Sequence, residues 1–116
     1  MPTRILALLL LTAGVATPAL ADDVSVSAHC SRDYAPAVDC RLGDTVGADG
    51  QHTMNFVAGD KRTQFIGRSQ SGWWSGKLDG KPAMGYELNR GHVVISTTDL
   101  ESTFEWWSDG NQHGSY

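Results

Sequence analysis

The sequence predicts an all-β domain: a small antiparallel meander of about seven or eight short strands that closes into a barrel or a sandwich. Short runs in which apolar and polar residues alternate occur along most of the chain. Turn-forming pairs rich in Gly, Asp and Asn separate these runs. No stretch repeats apolar residues every 3.6 positions over three turns, so helices are not expected.

The N-terminal segment, Met1–Ala21, has the features of a secretory signal peptide. Arg4 precedes an apolar run over residues 5–11, and Ala19-Leu20-Ala21 has the small-x-small form that a signal peptidase cleaves. The apolar run is shorter than the roughly 20 residues that span a bilayer. We therefore expect an exported protein, periplasmic or secreted, without a membrane span.

The remaining 95 residues (116 minus 21) are enough for one small domain, 22–116, with a flexible tail from about residue 108. Without Arg4 the segment has 8 basic and 13 acidic residues, a net charge of −5. The charges are interspersed, and no clustered basic surface is expected. Nucleic acid is therefore not an expected partner.

The two cysteines, Cys30 and Cys40, are expected to form a disulfide because exported proteins fold in an oxidising environment. Their spacing is not that of a C-x-x-C redox motif. The bridge would close a short loop and stabilise the domain by about 2.5–3 kcal/mol in the chain-entropy description.

The strands are predicted from alternation and from the turns between them. Those outside the central meander are Val24–His29, Thr53–Ala58, Thr63–Gly67 and Thr103–Trp107. The segment over residues 43–51 is rich in turn formers and is predicted to be a surface loop. The meander, Ser71–Thr97, holds two turn signals, Asp79-Gly80 and Asn89-Arg90-Gly91.

A two-residue turn at Asp79-Gly80 fixes the register of the first hairpin. It places Trp73 opposite Tyr86 and Trp74 opposite Gly85, on opposite faces of the sheet. The face with more large apolar side chains is predicted to be the core: Trp73, Met84, Tyr86 and Leu88. Trp74 would then lie outside, covering the bare backbone of Gly85.

The second turn leaves two registers open. An even loop places Val93 and Ile95 on the Tyr86 face, and we prefer it because it unites the predicted core. An odd loop, with Gly91 in a left-handed conformation, would place them on the Trp74 face instead.

Two tandem pairs, Trp73-Trp74 and Trp106-Trp107, are the main candidates for binding. Neighbours on a strand point to opposite faces, so each pair directs one indole outward. The predicted faces select Trp74 and Trp107 as exposed residues that stack on sugar rings or anchor a protein partner. The alternative is that a loop or the tail covers them and all four Trp residues serve the core.

No catalytic or metal-binding pattern is found. His29, His52, His92 and His113 lack a recognised ligand spacing. Asp99 and Glu101, with Glu105 nearby, could form a glycosidase carboxylate pair, but so small a domain has little room for a cleft. We therefore expect a protein that is not an enzyme and that uses no cofactor or metal.

One short segment resembles a known family. The order Ser69-Gln70-Ser71-Gly72, then Trp73 or Trp74, then Gly80-Lys81-Pro82-Ala83 is similar to that in small exported β-barrel inhibitors of c-type lysozyme. The chain departs from that pattern in its spacing and in its closely spaced cysteines.

Two functional hypotheses follow. The first is an exported binding or inhibitory module that presents loops and exposed Trp residues to an envelope ligand. The ligand would be a glycan or a cationic protein, such as the lysozyme that the resemblance implies. The second is a structural or stress-related envelope protein with no discrete site. Exposure of the Trp residues distinguishes them.

Overall fold

Eight antiparallel strands close into a barrel in the computed structural model, which describes residues 25–109. Each strand pairs with the next, and the last pairs with the first. The strands are β1 (Val26–Arg32), β2 (Val38–Val46), β3 (His52–Ala58), β4 (Lys61–Gln70), β5 (Trp73–Leu78), β6 (Lys81–Asn89), β7 (His92–Thr97) and β8 (Thr103–Ser108). The predicted all-β class is confirmed, with the barrel as its form.

The predictions at the two ends of the chain, a signal peptide over Met1–Ala21 and a flexible tail, fall wholly or mostly outside residues 25–109. Within the described part of the chain, there is no helix that is long and apolar enough to cross a membrane.

The barrel has two ends, which we name after a residue at each. The Asp79 end carries the β1–β2 loop, the hairpins at Gly59-Asp60 and Asp79-Gly80, and the turn over residues 98–102. The Ser71 end carries the connections over residues 47–51, 71–72 and 90–91.

The predicted loop over residues 43–51 is wrong in its first half, because β2 continues to Val46. Residues of β2 pair with β3 as far as Val46 opposite His52. Backbone pairing with a neighbouring strand outweighs the polar, turn-prone composition of this segment.

The core is built from one face of every strand, as alternation requires. Aromatic rings dominate it: Phe56 lies 4.8 Å from Phe104 and 5.6 Å from Trp106, ring centre to ring centre. The buried apolar side chains that form this core are Ala28, Cys30, Cys40, Leu42, Met54, Phe56, Phe65, Trp74, Leu78, Ala83, Val93, Ile95, Phe104 and Trp106.

The predicted register of the first hairpin is confirmed, but its predicted faces are reversed. Trp73 pairs with Tyr86, and Trp74 pairs with Gly85. Trp74 points into the barrel with 6% of its surface exposed, whereas Trp73 is 59% exposed. The indole of Trp74 contacts the rings of His52 and Phe65, at centroid distances of 5.0 and 6.0 Å.

The reversal follows from three glycines, Gly67, Gly76 and Gly85, on the inner face of β4, β5 and β6. A Cβ built on Gly76 would lie 2.0 Å from the carbonyl oxygen of Ile66, and one on Gly67 would lie 2.2 Å from that of Ser75. The strands coil so tightly here that no side chain fits. This face must therefore be the inner one, and Trp74 fills space beside the glycines.

Gly85 itself is constrained by β7. Its hypothetical Cβ would lie 2.4 Å from the carbonyl oxygen of Val94 and 2.8 Å from a side-chain carbon of Ile95. The nearest obstacle at Gly85 is thus the backbone of the adjacent strand, whereas the sequence led us to expect the covering indole of Trp74.

The second turn adopts the odd-loop register, and the even-loop register that we preferred is wrong. A bulge between Glu87 and Asn89 shifts the β6–β7 pairing by one residue, and Gly91 has φ of 81°. Val94 therefore pairs with Tyr86, and Ile95 pairs with Gly85. The bulge turns Val93 and Ile95 into the core.

The predicted disulfide is confirmed: Cys30 on β1 is bonded to Cys40 on β2, with their Cα atoms 6.0 Å apart. Both cysteines face the interior. The bridge thus pins the first two strands of the barrel from inside.

Candidate functional site

Three exposed apolar side chains on β5 and β6 form one patch, which we call the platform: Trp73, Met84 and Tyr86. Trp73 is 59% exposed, Met84 52% and Tyr86 43%. The two rings are neighbours, with centroids 5.8 Å apart and planes inclined by 47°. Their positions follow from the cross-strand pairing of Trp73 with Tyr86.

A groove of about 510 Å³ lies beside the platform, toward the Ser71 end. Its lining combines apolar surface with the hydroxyl groups of three serines and the amide of one glutamine. The lining residues are Arg68, Ser69, Gln70, Ser71, Trp73, Trp74, Ser75 and Met84.

The turn that borders the groove is fixed by its backbone. Ser71 and Gly72 both have positive φ, 55° and 85°, which brings β4 directly back as β5. The carbonyl oxygen of Gly72 accepts a hydrogen bond of 2.9 Å from the backbone N–H of Glu87. The tight turn thus holds the serines beside the exposed indole of Trp73.

The groove carries little net charge. Among residues 25–109, Arg68 is the one charged residue in its lining, and its Nη2 lies 2.7 Å from Oδ2 of Asp49. The hydrogen bond from Arg68 is the main reason that the pKa of the Asp49 carboxyl lies below its usual value of 3.8. The pair neutralises the guanidinium at the edge of the groove.

Neither of the predicted exposed Trp residues is exposed. Trp74 lies in the core, as described above, and Trp107 is only 7% exposed. Trp107 is on the outer face, since its neighbour Trp106 is in the core. It is covered because its ring packs against His29 on one side and His92 on the other, at centroid distances of 5.8 and 5.1 Å.

The histidines on either side of Trp107 are held by carboxylates. His29 lies 3.2 Å from Asp39 and 2.7 Å from Asp109. His92 is buried and contacts the carboxylate of Glu105 through Nε2. No group of three His, Cys, Asp or Glu side chains that could hold a metal ion is found within residues 25–109.

The carboxylates considered for glycosidase chemistry are not directed at a common point. Asp99 and Glu101 both bind Nζ of Lys81, at 3.0 and 3.2 Å, in the turn between β7 and β8. Glu105 lies on the outer wall with His92. These contacts engage the three acids in two separate ion-pair clusters.

Sequence reasoning missed Trp73, Met84 and Tyr86 because it placed them in the core. The signal that could have found them is the composition of the opposite face, where Gly76, Ala83 and Gly85 accompany Trp74. A face of small residues is what a tightly coiled barrel turns inward.

Comparison with family models, with curated proteins and with solved structures gave no match to this chain. The segments that resemble lysozyme inhibitors lie apart in the barrel. Ser69–Gly72 borders the groove at the Ser71 end, while Gly80–Ala83 begins at the Asp79 end.

Proposed function

We propose that the protein is an exported binding module that holds the sugar rings of an envelope glycan on the platform of Trp73, Met84 and Tyr86. The observation that carries the proposal is the exposure of Trp73, 59%, beside a second exposed ring at 5.8 Å. A contiguous exposed apolar patch on a small protein is typical of a binding surface.

The chemistry beside the platform suits a sugar. One face of a pyranose ring presents C–H groups that pack on an aromatic ring, while its hydroxyls need hydrogen-bond partners at the edge. The groove supplies both donors and acceptors through Ser69, Gln70 and Ser71. Apolar contact with a few placed polar groups is the usual composition of a small-molecule site.

A glycan fits this surface better than a cationic protein does. The described lining of the groove includes no carboxylate, and the charge of Arg68 is balanced by Asp49. The overall negative charge of the chain, −4, therefore is not concentrated where the exposed rings are.

Export is part of the same proposal. The disulfide between Cys30 and Cys40 is typical of proteins that fold outside the cytoplasm. Together with the predicted signal peptide, it supports a periplasmic or secreted location, where envelope glycans are present.

The test is binding of Trp73→Ala to purified peptidoglycan and to a soluble tetramer of N-acetylglucosamine. We expect wild type to bind and the variant to bind at least about tenfold more weakly, a loss of about 1.4 kcal/mol. The variant should stay folded, because the exposed indole contributes only about 1 kcal/mol through its pairing with Tyr86. Pelleting with peptidoglycan and titration calorimetry measure the two affinities.

Tyr34→Ala is the matched control, since Tyr34 is an exposed aromatic residue in the β1–β2 loop, away from the platform. It should bind as wild type does. Equal binding by wild type and Trp73→Ala would refute the proposal, as would capture of a cationic protein such as lysozyme without binding to either glycan. Urea unfolding of each variant shows whether a loss of binding reflects a loss of fold.

A further inference from the structure

The barrel interior opens at the Asp79 end into a cavity of about 380 Å³, which we call the mouth. The mouth lies between β1, β2, β3, β4 and β8, whereas the platform lies on the outer face of β5 and β6. The lining residues are Cys30, Arg32, Val38, Cys40, Phe56, Ala58, Lys61, Arg62, Thr63 and Phe104. A barrel mouth of this size is a common place for a small ligand.

The inner part of the mouth is apolar and rigid. Phe56 and Phe104 pack together with ring centroids 4.8 Å apart, and both rings are buried. The disulfide between Cys30 and Cys40 forms the adjoining surface. An apolar group that enters the mouth therefore meets rings and sulfur atoms that are already fixed in place.

The rim of the mouth is cationic. Arg32 and Lys61 occupy interior-facing positions at the ends of β1 and β4, in alternation with the buried Cys30 and Phe65. Arg62 is the third cation of the lining. None of the ten described lining residues is acidic, although the whole chain has a net charge of −4.

Two of these cations are free to meet an anion. No ion pair or hydrogen bond is found for the side chains of Lys61 and Arg62 within residues 25–109. Arg32 is half engaged, because its Nη2 lies 2.6 Å from Oδ2 of Asp79.

The second terminal nitrogen of Arg32 is the clearest sign of a missing partner. Its Nη1 is buried and has no hydrogen-bond partner among the described residues. The guanidinium carbon lies 5.9 Å from the ring centre of Phe104, which holds the group over the apolar part of the mouth. A buried N–H donor without an acceptor is costly, so a movement of the Arg32 side chain that brings Nη1 to a ligand oxygen would relieve that cost.

We propose that the mouth binds a small amphipathic carboxylate, with its acyl or aromatic part against Phe56, Phe104 and the disulfide. Its carboxylate lies at the rim within reach of Lys61 and Arg62, and it accepts a hydrogen bond from Arg32 Nη1 once that side chain turns toward it. The apolar lining and the cationic rim each account for one half of this ligand, and the guanidinium of Arg32, over the ring of Phe104, lies next to both. The site shares no residue with the platform, so either proposal can fail alone.

The first test compares three probes on the intact protein by titration calorimetry and by amide chemical shifts. Octanoate carries both features, 1-octanol lacks the charge and acetate lacks the chain. We expect octanoate to bind about tenfold or more tightly than either of the others. The amides of Thr63 and Phe104 should shift, while those of Trp73 and Tyr86 should not.

The second test removes the unpaired cations. Lys61→Gln with Arg62→Gln should weaken octanoate binding about fivefold to tenfold, because each exposed charge pair contributes up to about 1 kcal/mol. Lys77→Gln with Arg90→Gln is the matched control, since it removes the same charge from other parts of the barrel. The control should bind octanoate within about twofold of wild type.

Three results would overturn the proposal. Equal affinity for octanoate and 1-octanol would mean that the rim does not recognise the carboxylate. Equal weakening by the two double variants would mean that only net charge matters. Binding to anionic phospholipid vesicles without binding to free octanoate would assign the cations to a membrane surface instead.

Discussion

At the scale of single residues, Asp99 shows how strongly one exposed carboxylate can be held. It accepts hydrogen bonds from the hydroxyl of Thr97 at 2.6 Å, from the backbone N–H of Glu101 at 2.9 Å and from Nζ of Lys81 at 3.0 Å. These contacts, that of Thr97 above all, lower the pKa of Asp99 from 3.8 to about 2. The turn between β7 and β8 is therefore organised around an ionised carboxylate.

Replacing this carboxylate should make the free energy of unfolding depend less on pH in the acidic range. A lowered folded-state pKa contributes stability that is complete above the unfolded value of 3.8 and is lost as the pH falls through about 2. We expect Asp99→Asn to be less stable than wild type at pH 7, with the difference shrinking between about pH 4 and 2. Urea unfolding at pH 7, 4 and 2 measures it.

Asp60→Asn is a suitable comparison, because no side-chain hydrogen bond of Asp60 is found in the described part of the chain and it also lies in a tight turn at the Asp79 end. The difference in free energy of unfolding between Asp60→Asn and wild type should not shrink between about pH 4 and 2. A difference for Asp99→Asn that stays constant from pH 7 to 2 would contradict the role given to its charge.

At the scale of strands, the inner glycines decide which way the sheet faces. Gly67 and Gly76 pair across β4 and β5, and each would place a Cβ within about 2 Å of a carbonyl oxygen of the opposite strand. At these two positions the strands approach each other too closely for any side chain on the inner face. The exposed position of Trp73 on the same strand is a direct consequence.

Adding a single methyl group at this contact should be severely destabilising. In Gly76→Ala the new Cβ would lie 2.0 Å from the carbonyl oxygen of Ile66, and backbone cannot move aside without breaking the ladder. We expect a loss of about 3 kcal/mol or more in the free energy of unfolding. Chemical denaturation measures it.

Gly47→Ala provides the contrast within the same chain. Its Cβ would lie 3.2 Å from a side-chain oxygen of Asp49 and 3.8 Å from the carbonyl oxygen of Gln51, an ordinary contact, in an exposed turn. This variant should remain within about 0.5 kcal/mol of wild type. Similar stability of Gly76→Ala and wild type would show that β4 and β5 are less closely packed than described.

At the scale of the whole molecule, the barrel depends on closure between the first and last strands. β1 pairs with both β2 and β8, so it joins residues from the two ends of the described chain. The disulfide between Cys30 and Cys40 also links β1 to β2 covalently. Local hairpins form the wall, and the β1–β8 pairing is its one long-range seam.

Removing the bridge should destabilise the whole barrel cooperatively. We expect the Cys30→Ala, Cys40→Ala double variant to lose about 2–3 kcal/mol, because its unfolded chain is less constrained. Thermal and urea unfolding measure the loss, and wild type treated with a reducing agent should match the variant. A reduced protein as stable as the oxidised one would contradict this account.

The local part of this fold could be predicted from the sequence. Alternation and turn pairs predicted an all-β domain, and Asp79-Gly80 predicted the pairing of Trp73 with Tyr86. Two cysteines in a chain with a predicted signal peptide predicted their bond. Each of these depends on residues close in sequence. For the candidate site, the sequence predicted that one Trp of a tandem pair points outward, but it did not correctly predict which one.

Only the tertiary structure decided which face of the sheet is inside. Trp73 and Trp74 are equally apolar, and their order alone does not say which one is buried. The choice depends on how tightly β4 and β5 coil around Gly67 and Gly76, and on the bulge that turns Ile95 inward. The cationic mouth likewise gathers Arg32, Lys61 and Arg62 from distant strands. Barrel closure brings such residues together, and no pattern within a short stretch of sequence predicts these long-range contacts.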